Sequence, residues 1–435
     1  MADVPQNGSG DPAAPARRMP NPYVVAALLC TMYAASFIDR QMISILAEPI
    51  KADLGLSDTQ LGLLGGFMFA LFYTVFGVPV AWLADRRSRV RIITLACALW
   101  SLCSAACGLA QNFGTLALAR IGVGVGEAGG NAPSYSLLSD YFQPARRGRA
   151  LAIFSLGAPL GLAGGSAFGA WVAAEYGWRV AFFATGLPGL ALALVLILVI
   201  REPKRGGLDK VAATGERPAG MGDTVRRFVS FPPLTLVCLA SGSSAFVGMG
   251  TVTWLPAYLM RIKGMTLGDL SLHYSLLMGV TMCIGILAGG FLVDYFGSRD
   301  KRAYAFVPAV GFLVGLPFTV AAIIAPDWRL ALALLGVPLV ILSTYLPPAL
   351  AFVQNAVAVS ARATASALLL LVINIVGTGC GPLFVGLVSD LAEAKGLERP
   401  LEVGLAALLP FYLVTAALFF LAARSIGRHR IAAID

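Results

Sequence analysis

Charge is scarce in this sequence. Only 13% of its 435 residues are charged and 58% are hydrophobic, whereas a soluble domain carries about 25% charged residues. A mean hydropathy of +0.79 excludes a water-facing surface over most of the chain. The length would suggest two or three soluble domains; the composition says membrane instead. With two histidines and no paired cysteine spacing, neither a metal site nor a cofactor is expected. The cysteines (Cys30, Cys97, Cys103, Cys107, Cys238, Cys283, Cys380) all lie in apolar segments and read as small core residues. No Ser-His-Asp set or other catalytic constellation occurs, which argues against an enzyme. A net charge of +9 would suit nucleic acid, but the basic residues sit in short clusters between apolar runs. That is the pattern of cytoplasmic membrane loops, so no nucleic-acid partner is expected.

What is abundant is apolar sequence in runs of roughly 20 residues, the length that crosses a bilayer core. Twelve such runs are predicted, six before a basic linker at 201–230 and six after it. The expected organisation is a disordered tail (1–20), a six-helix bundle (21–200), the cytoplasmic linker (201–230), a second six-helix bundle (231–424) and a cytoplasmic tail (425–435). The stretch Tyr23–Leu46 is longer than a signal-peptide core and contains Asp39-Arg40, so it is read as a retained first span. With the N-terminus inside, most of the 32 basic residues fall in inner segments, which predicts both termini in the cytoplasm. The expected home is the plasma (bacterial inner) membrane.

The two halves echo each other. Ala81-Trp82-Leu83-Ala84-Asp85-Arg86-Arg87-Ser88-Arg89 ends the second span, and Gly290-Phe291-Leu292-Val293-Asp294-Tyr295-Phe296-Gly297-Ser298-Arg299 ends the eighth. Each places a small residue four before the Asp and another three after it. The two Asp residues stand about half a chain apart, so an internal duplication of six helices is predicted.

Four charges fall inside predicted spans, where they are costly and mark function by default: Asp39 and Arg40 in the first, Arg120 and Glu127 in the fourth. At a rise of about 1.5 Å per residue, Asp39, Arg40 and Arg120 share one depth, and Glu127 lies two turns deeper. At about 100° per residue, Arg120, Gly124, Glu127, Asn131, Ser134 and Tyr135 form one polar stripe. Gly122, Gly126 and Gly130 form a small-xxx-small series on the far side, suited to close helix contact. In the first span Tyr33, Ser36, Arg40 and Ser44 share a face, and Asp39 points about 100° away toward a different partner. A carboxyl in such a place can load and release a proton as a cavity switches sides. Asp39 and Glu127 are therefore the expected proton carriers, with Arg120 tuning them. A structural ion pair between Arg120 and Asp39 is the competing reading.

The Asp85 segment resembles the loop 2–3 signature of the major facilitator superfamily, small-x-x-x-Asp-Arg-x-Gly-Arg, with Ala81 and Ser88 where the family usually has Gly. The Asp294 copy keeps both glycines and has Tyr295 for the basic residue. Leu118 to Ala128 resembles the superfamily's fourth-span signature, whose Arg is linked to proton coupling. Gly148, Gly157, Gly161 and Gly165 keep the spacing of its glycine-rich exporter motif, with Leu162 in place of the motif's proline and Ser166 in place of its last Gly. Phe37-Ile38-Asp39-Arg40-Gln41, Gly126-Glu127-Ala128, Ala132-Pro133-Ser134, Asn374-Ile375-Val376-Gly377 and Gly381-Pro382-Leu383 look like the spinster branch. An Asp-Arg pair in the first span and a Glu in the fourth also occur in organic anion/proton symporters.

The resemblance implies an all-α membrane protein of twelve transmembrane helices in two pseudo-symmetric six-helix bundles, working by alternating access as a monomer. It implies proton-coupled transport of an amphipathic lipid such as a lysophospholipid or sphingoid phosphate. A small organic anion such as a carboxylate is the alternative substrate. An uncoupled receptor or lipid scramblase is the second alternative. The expected substrate residues are Arg40, Arg120, Glu127, Asn131, Tyr33 and Ser36, with Tyr345 and Asn374 from the second half; Arg suits bidentate phosphate contacts. The resemblance implies a cytoplasmic gate formed by Asp85, Arg86, Arg87, Arg89, Asp294 and Arg299. The expected partners are substrate, protons and membrane lipid.

Overall fold

In a computed structural model, residues 19–208, 226, 228, 230–357 and 361–428 are described, and among them there is no strand. Eleven helices are long and apolar enough to cross a membrane. The crossings are α1 (Pro22–Ile45), α2 (Asp58–Arg86), α3 (Arg89–Cys107), α4 (in two pieces, Phe113–Glu127 and Asn131–Tyr141), α5 (Arg146–Tyr176) and α6 (Trp178–Val199). After the linker come α7 (Pro232–Arg261), α8 (Leu267–Gly297), α9 (Ala303–Ile324), α10 (Trp328–Asn355), α11 (Thr364–Ala394) and α12 (Pro400–Arg428). The twelfth crossing is α4, whose pieces are each too short to span alone. The fold is twelve helices in two six-helix halves, as the sequence predicts. The expected linker lies mostly outside the described residues, as does most of each expected tail.

Local signals set the helix starts. Asn21 accepts the Tyr23 N–H at 2.9 Å and Pro22 opens α1, a first-turn place where its missing N–H costs nothing. Ser57 and Gln60 form a capping box at the start of α2, and Thr266 and Asp269 form one at the start of α8. These boxes stand the same distance apart as Asp85 and Asp294, so the duplication is visible at both ends of the paired helices. Each of these helices also carries a π-helical turn just inside its start, Leu63–Phe67 and Leu270–Tyr274, and α11 carries a longer one at Ile373–Cys380. Sequence periodicity does not reveal such turns.

One expectation needs correction. The fourth span is not one helix. The Gly129 and Gly130 N–H groups fall back on Gly126 and Glu127 carbonyls at 3.1 and 3.0 Å, and Pro133 has no N–H to continue the ladder. Between α1 and α2 lies a short helix, Ala47–Leu54, ended by Gly55 in the left-handed conformation.

Glycine sets how closely helices approach. A Cβ on Gly126 would lie 2.6 Å from the Trp100 nitrogen, so α4 meets α3 backbone to backbone along the expected small-residue face. Large apolar side chains such as Leu95, Leu118, Leu198 and Leu287 are exposed, as lipid-facing residues are in a membrane bundle.

Candidate functional site: a buried charge cluster and a one-sided closure

The four intramembrane charges converge as two ion pairs between α1 and α4. Arg40 holds Glu127 through Nε and Nη2, both 2.6 Å from Oε2. Arg120 Nη1 stands 3.4 Å from Asp39 Oδ2, and the Ser104 hydroxyl of α3 donates to Asp39 Oδ1. The divergence of Asp39 from Arg40 around α1 thus sends the two neighbours to different partners. The pairs differ in access. The Arg40 side chain is 23% exposed, while Glu127, Arg120 and Asp39 are 1%, 1% and 3% exposed. Of the four buried side-chain polar atoms without a partner among the described residues, two are Glu127 Oε1 and Arg120 Nε. Such atoms are costly, and both lie on the charge cluster itself.

Aromatic faces surround Arg40. Its guanidinium carbon is 4.8 Å from the centroids of Phe37 and Phe69 and 5.2 Å from that of Tyr73. Asn131 donates to the Tyr73 hydroxyl at 3.0 Å, joining the second piece of α4 to this wall. Tyr33 stacks on Phe154 at 4.6 Å. Phe69 and Tyr73 complete the cage but had no signal beyond aromatic content in the second span. Ser104 had none at all, being one small residue in an apolar helix.

The other expected substrate residues are placed differently. The Ser36 hydroxyl is turned back to the Tyr33 carbonyl at 2.9 Å, so it is occupied within its own helix. Tyr345 is buried at the junction between the two pieces of α10. Asn374 lies in the π-helical turn of α11. Among the described residues, neither hydrogen-bonds to the charge cluster.

The halves close on the face away from both termini. Arg261 at the end of α7 donates to Glu48 at 2.6 Å and to Asp58 at 2.8 Å. The Asp58 side chain, fully buried, also accepts from Lys51 and from Ser389 of α11, each at 2.6 Å. Asp390 of α11 in turn accepts the Asp58 and Thr59 N–H groups at 2.9 Å, a carboxylate on the N-terminus of α2. Deeper, Ser44 donates to the Thr253 carbonyl at 2.6 Å, and Ser271 to the Ala167 carbonyl at 2.8 Å. A Cβ on Gly66 would lie 2.5 Å from the Thr378 oxygen, so the π-turns of α2 and α11 meet without side chains between them.

The expected gate residues sit on the opposite face, unlatched. Asp85 and Asp294 are exposed and, among the described residues, make no ion pair across the halves. Arg86 lies over Trp82 at 3.9 Å within α2, and Arg299, just past the end of α8, lies over Tyr295 of that helix at 4.5 Å. Linker residue Arg205 donates to the Ala84 and Arg87 carbonyls at 2.6 Å and to that of Asp85. Arg89 is buried and bound to Asp140 at 2.5 Å and Glu202 at 2.7 Å, so it ties the first half to the linker. Burial alone would push the Glu202 carboxyl up. The Val90 N–H, Arg89 and Ser88 outweigh that and hold it below the ordinary glutamate range.

Known proteins bear on this arrangement. The chain is 33% identical to an MFS-type efflux pump of Mycolicibacterium smegmatis over 92% of each chain. It is 27% identical to the hexuronate transporter of Bacillus subtilis, over 71% of this chain and 73% of that one. A crystal structure of a bacterial homologue of the human lysosomal transporter Spinster, inward-facing and unoccupied, superposes with a TM-score of 0.86 at 31% identity. It covers 94% of this chain and 98% of that one. The family model for the Major Facilitator Superfamily matches residues 29–382. With twelve helices, two echoing halves and this match, the chain belongs to the major facilitator superfamily, and within it resembles the spinster proteins.

Proposed function

We propose that this protein is a proton-coupled secondary active transporter of an amphipathic lipid, a lysophospholipid or sphingoid phosphate, working by alternating access in a bacterial inner membrane with both termini cytoplasmic. One observation carries the reading: Arg40 is the accessible member of an otherwise buried four-charge cluster, and it is ringed by aromatic faces. A guanidinium set among Phe37, Phe69 and Tyr73 offers charge to a phosphate and apolar surface to the chain beside it. Glu127 holds that guanidinium in a 2.6 Å ion pair. Protonating Glu127 neutralises it and frees Arg40 for an anionic headgroup. By linkage, a headgroup on Arg40 favours the proton on Glu127 to the same degree. Asp39 and Arg120, with Ser104, hold the neighbouring position and tune the field at Glu127. The basic bias toward the terminal face supports the cytoplasmic orientation. On that orientation the interlocked face of Glu48, Asp58, Arg261, Ser389 and Asp390 is the outer one, which fits an inward-facing conformation.

A second reading has its own support. The hexuronate transporter relative favours a small carboxylate, which would also suit Arg40. The test is flux into proteoliposomes of a labelled lysophospholipid and a labelled hexuronate, with and without an imposed pH gradient. The proposal expects gradient-dependent lipid flux. Carboxylate flux without lipid flux would transfer the site to the second reading. Lipid flux indifferent to the gradient would make the protein a scramblase.

A further inference from the structure

We propose that a groove between α8 and α10, on the face away from the termini, holds one resident phospholipid with a zwitterionic headgroup from the adjoining bilayer leaflet. The groove encloses about 470 Å³, within the range of roughly 300–1,000 Å³ typical of ligand pockets. It lies in the second half, away from the charge cluster. Its lining is sorted by depth. His273, Trp328 and Arg329 stand at the helix starts, and Leu276, Leu277 and Val280 continue one and two turns toward the midplane. A headgroup at the mouth and an acyl chain below would meet matching surfaces.

The mouth is built rather than incidental. The His273 ring lies 5.1 Å from that of Trp328, and the Arg329 guanidinium lies 4.7 Å from the same indole. His273 Nδ1 is 3.3 Å from the Asp269 carbonyl. Tryptophan at this level is the usual interfacial anchor. Among the described residues Arg329 has no carboxylate within ion-pair distance, so its fork is available to a phosphate. Two carboxylates flank it. Asp269 is engaged through Oδ2 with Thr266 at 2.7 Å, and Asp327 caps α10 through Oδ1 at 2.8 and 3.0 Å. Asp269 Oδ1 and Asp327 Oδ2 remain open to a donor. One permanent cation beside two carboxylates repels a second negative group and suits an ammonium next to the phosphate. A phosphatidylethanolamine headgroup fits that pattern and phosphatidylglycerol does not. α8 uses Ser271 and Gly279 against α5, so the lipid would brace a helix that seals the halves.

Native mass spectrometry of the full chain, after exchange into mixed phosphatidylethanolamine and phosphatidylglycerol, tests this. The expected result is one retained phosphatidylethanolamine per chain in preference to phosphatidylglycerol. Arg329→Ala should lower that retention by about tenfold, the size of one lost charge-assisted contact, and Trp328→Ala, which removes the indole beside Arg329 and His273, should lower it as well. Asp269→Asn should keep lipid bound but erase the preference. Arg329 is exposed and Trp328 and Asp269 are half-buried, and an unchanged melting temperature would verify folding. Undiminished retention in Arg329→Ala and Trp328→Ala, or equal retention of both lipids by the unaltered chain, would overturn the proposal. Displacement of the retained lipid by a labelled lysophospholipid would also overturn it, since the groove would then be part of a transport path.

Discussion

A charge inside a bilayer is tolerated when it is paired, and here the pairing decides function. Asp39, Arg40, Arg120 and Glu127 were legible as four costly residues, and even the different headings of Asp39 and Arg40 could be read from helix rotation. Which arginine meets which carboxylate could not, because that depends on how α1 and α4 are rotated against each other. The two pairs should respond differently to mutation. Arg120→Ala strands the buried Asp39, and removing one partner of a buried pair costs about 3–5 kcal/mol. A large drop in melting temperature is expected, partly restored by adding Asp39→Asn. Additive losses in this double-mutant cycle would mean that the 3.4 Å pair contributes no coupling. At Glu202 the folded-state carboxyl is held below its ordinary range. Its stabilising contribution is therefore full above the unfolded value, about 4.3, and is lost as pH falls through the lower folded value. Protease resistance of the linker near Arg89 should fall only in acid. Glu202→Gln should weaken that dependence.

Helix placement was largely legible because each crossing is a long apolar run. The exceptions share one cause: backbone hydrogen bonding that composition does not report. The break at Ala128–Gly130 turns on where the Gly129 and Gly130 N–H groups go. The π-turns of α2, α8 and α11 insert one residue's worth of offset with no change in hydropathy. The small-residue face of α4 was readable, and it makes a sharp prediction. Gly126→Val places a branched side chain where even a Cβ would be 2.6 Å from backbone nitrogen. The cost of such overpacking is typically about 1–3 kcal/mol. Thermal unfolding in detergent should show it, whereas Gly77→Ala, whose Cβ would meet nothing within 4 Å, should differ only slightly.

For the molecule as a whole, the two halves are held on one face by Glu48, Asp58, Arg261, Ser389 and Asp390. These residues lie far apart in sequence and meet only once both bundles exist, so no local pattern announced them. Asp58 is the junction. Asp58→Asn removes the charge from bonds worth roughly 1.5–3 kcal/mol each, enough to change the ratio of closed to open conformers about tenfold or more. Distances measured by electron spin resonance between labels on α2 and α11 near this face should gain a longer population. An unchanged distribution would mean that the glycine contacts of α2 and α11 hold the closure alone. The central claim, however, concerns the proton. Its most direct test is the pH change inside liposomes evoked by adding lysophospholipid to the purified protein and to Glu127→Gln, which keeps an acceptor for Arg40 and loses the proton site. The account predicts a substrate-evoked proton signal from the unaltered protein and its loss in Glu127→Gln. A signal of equal size in both would contradict it.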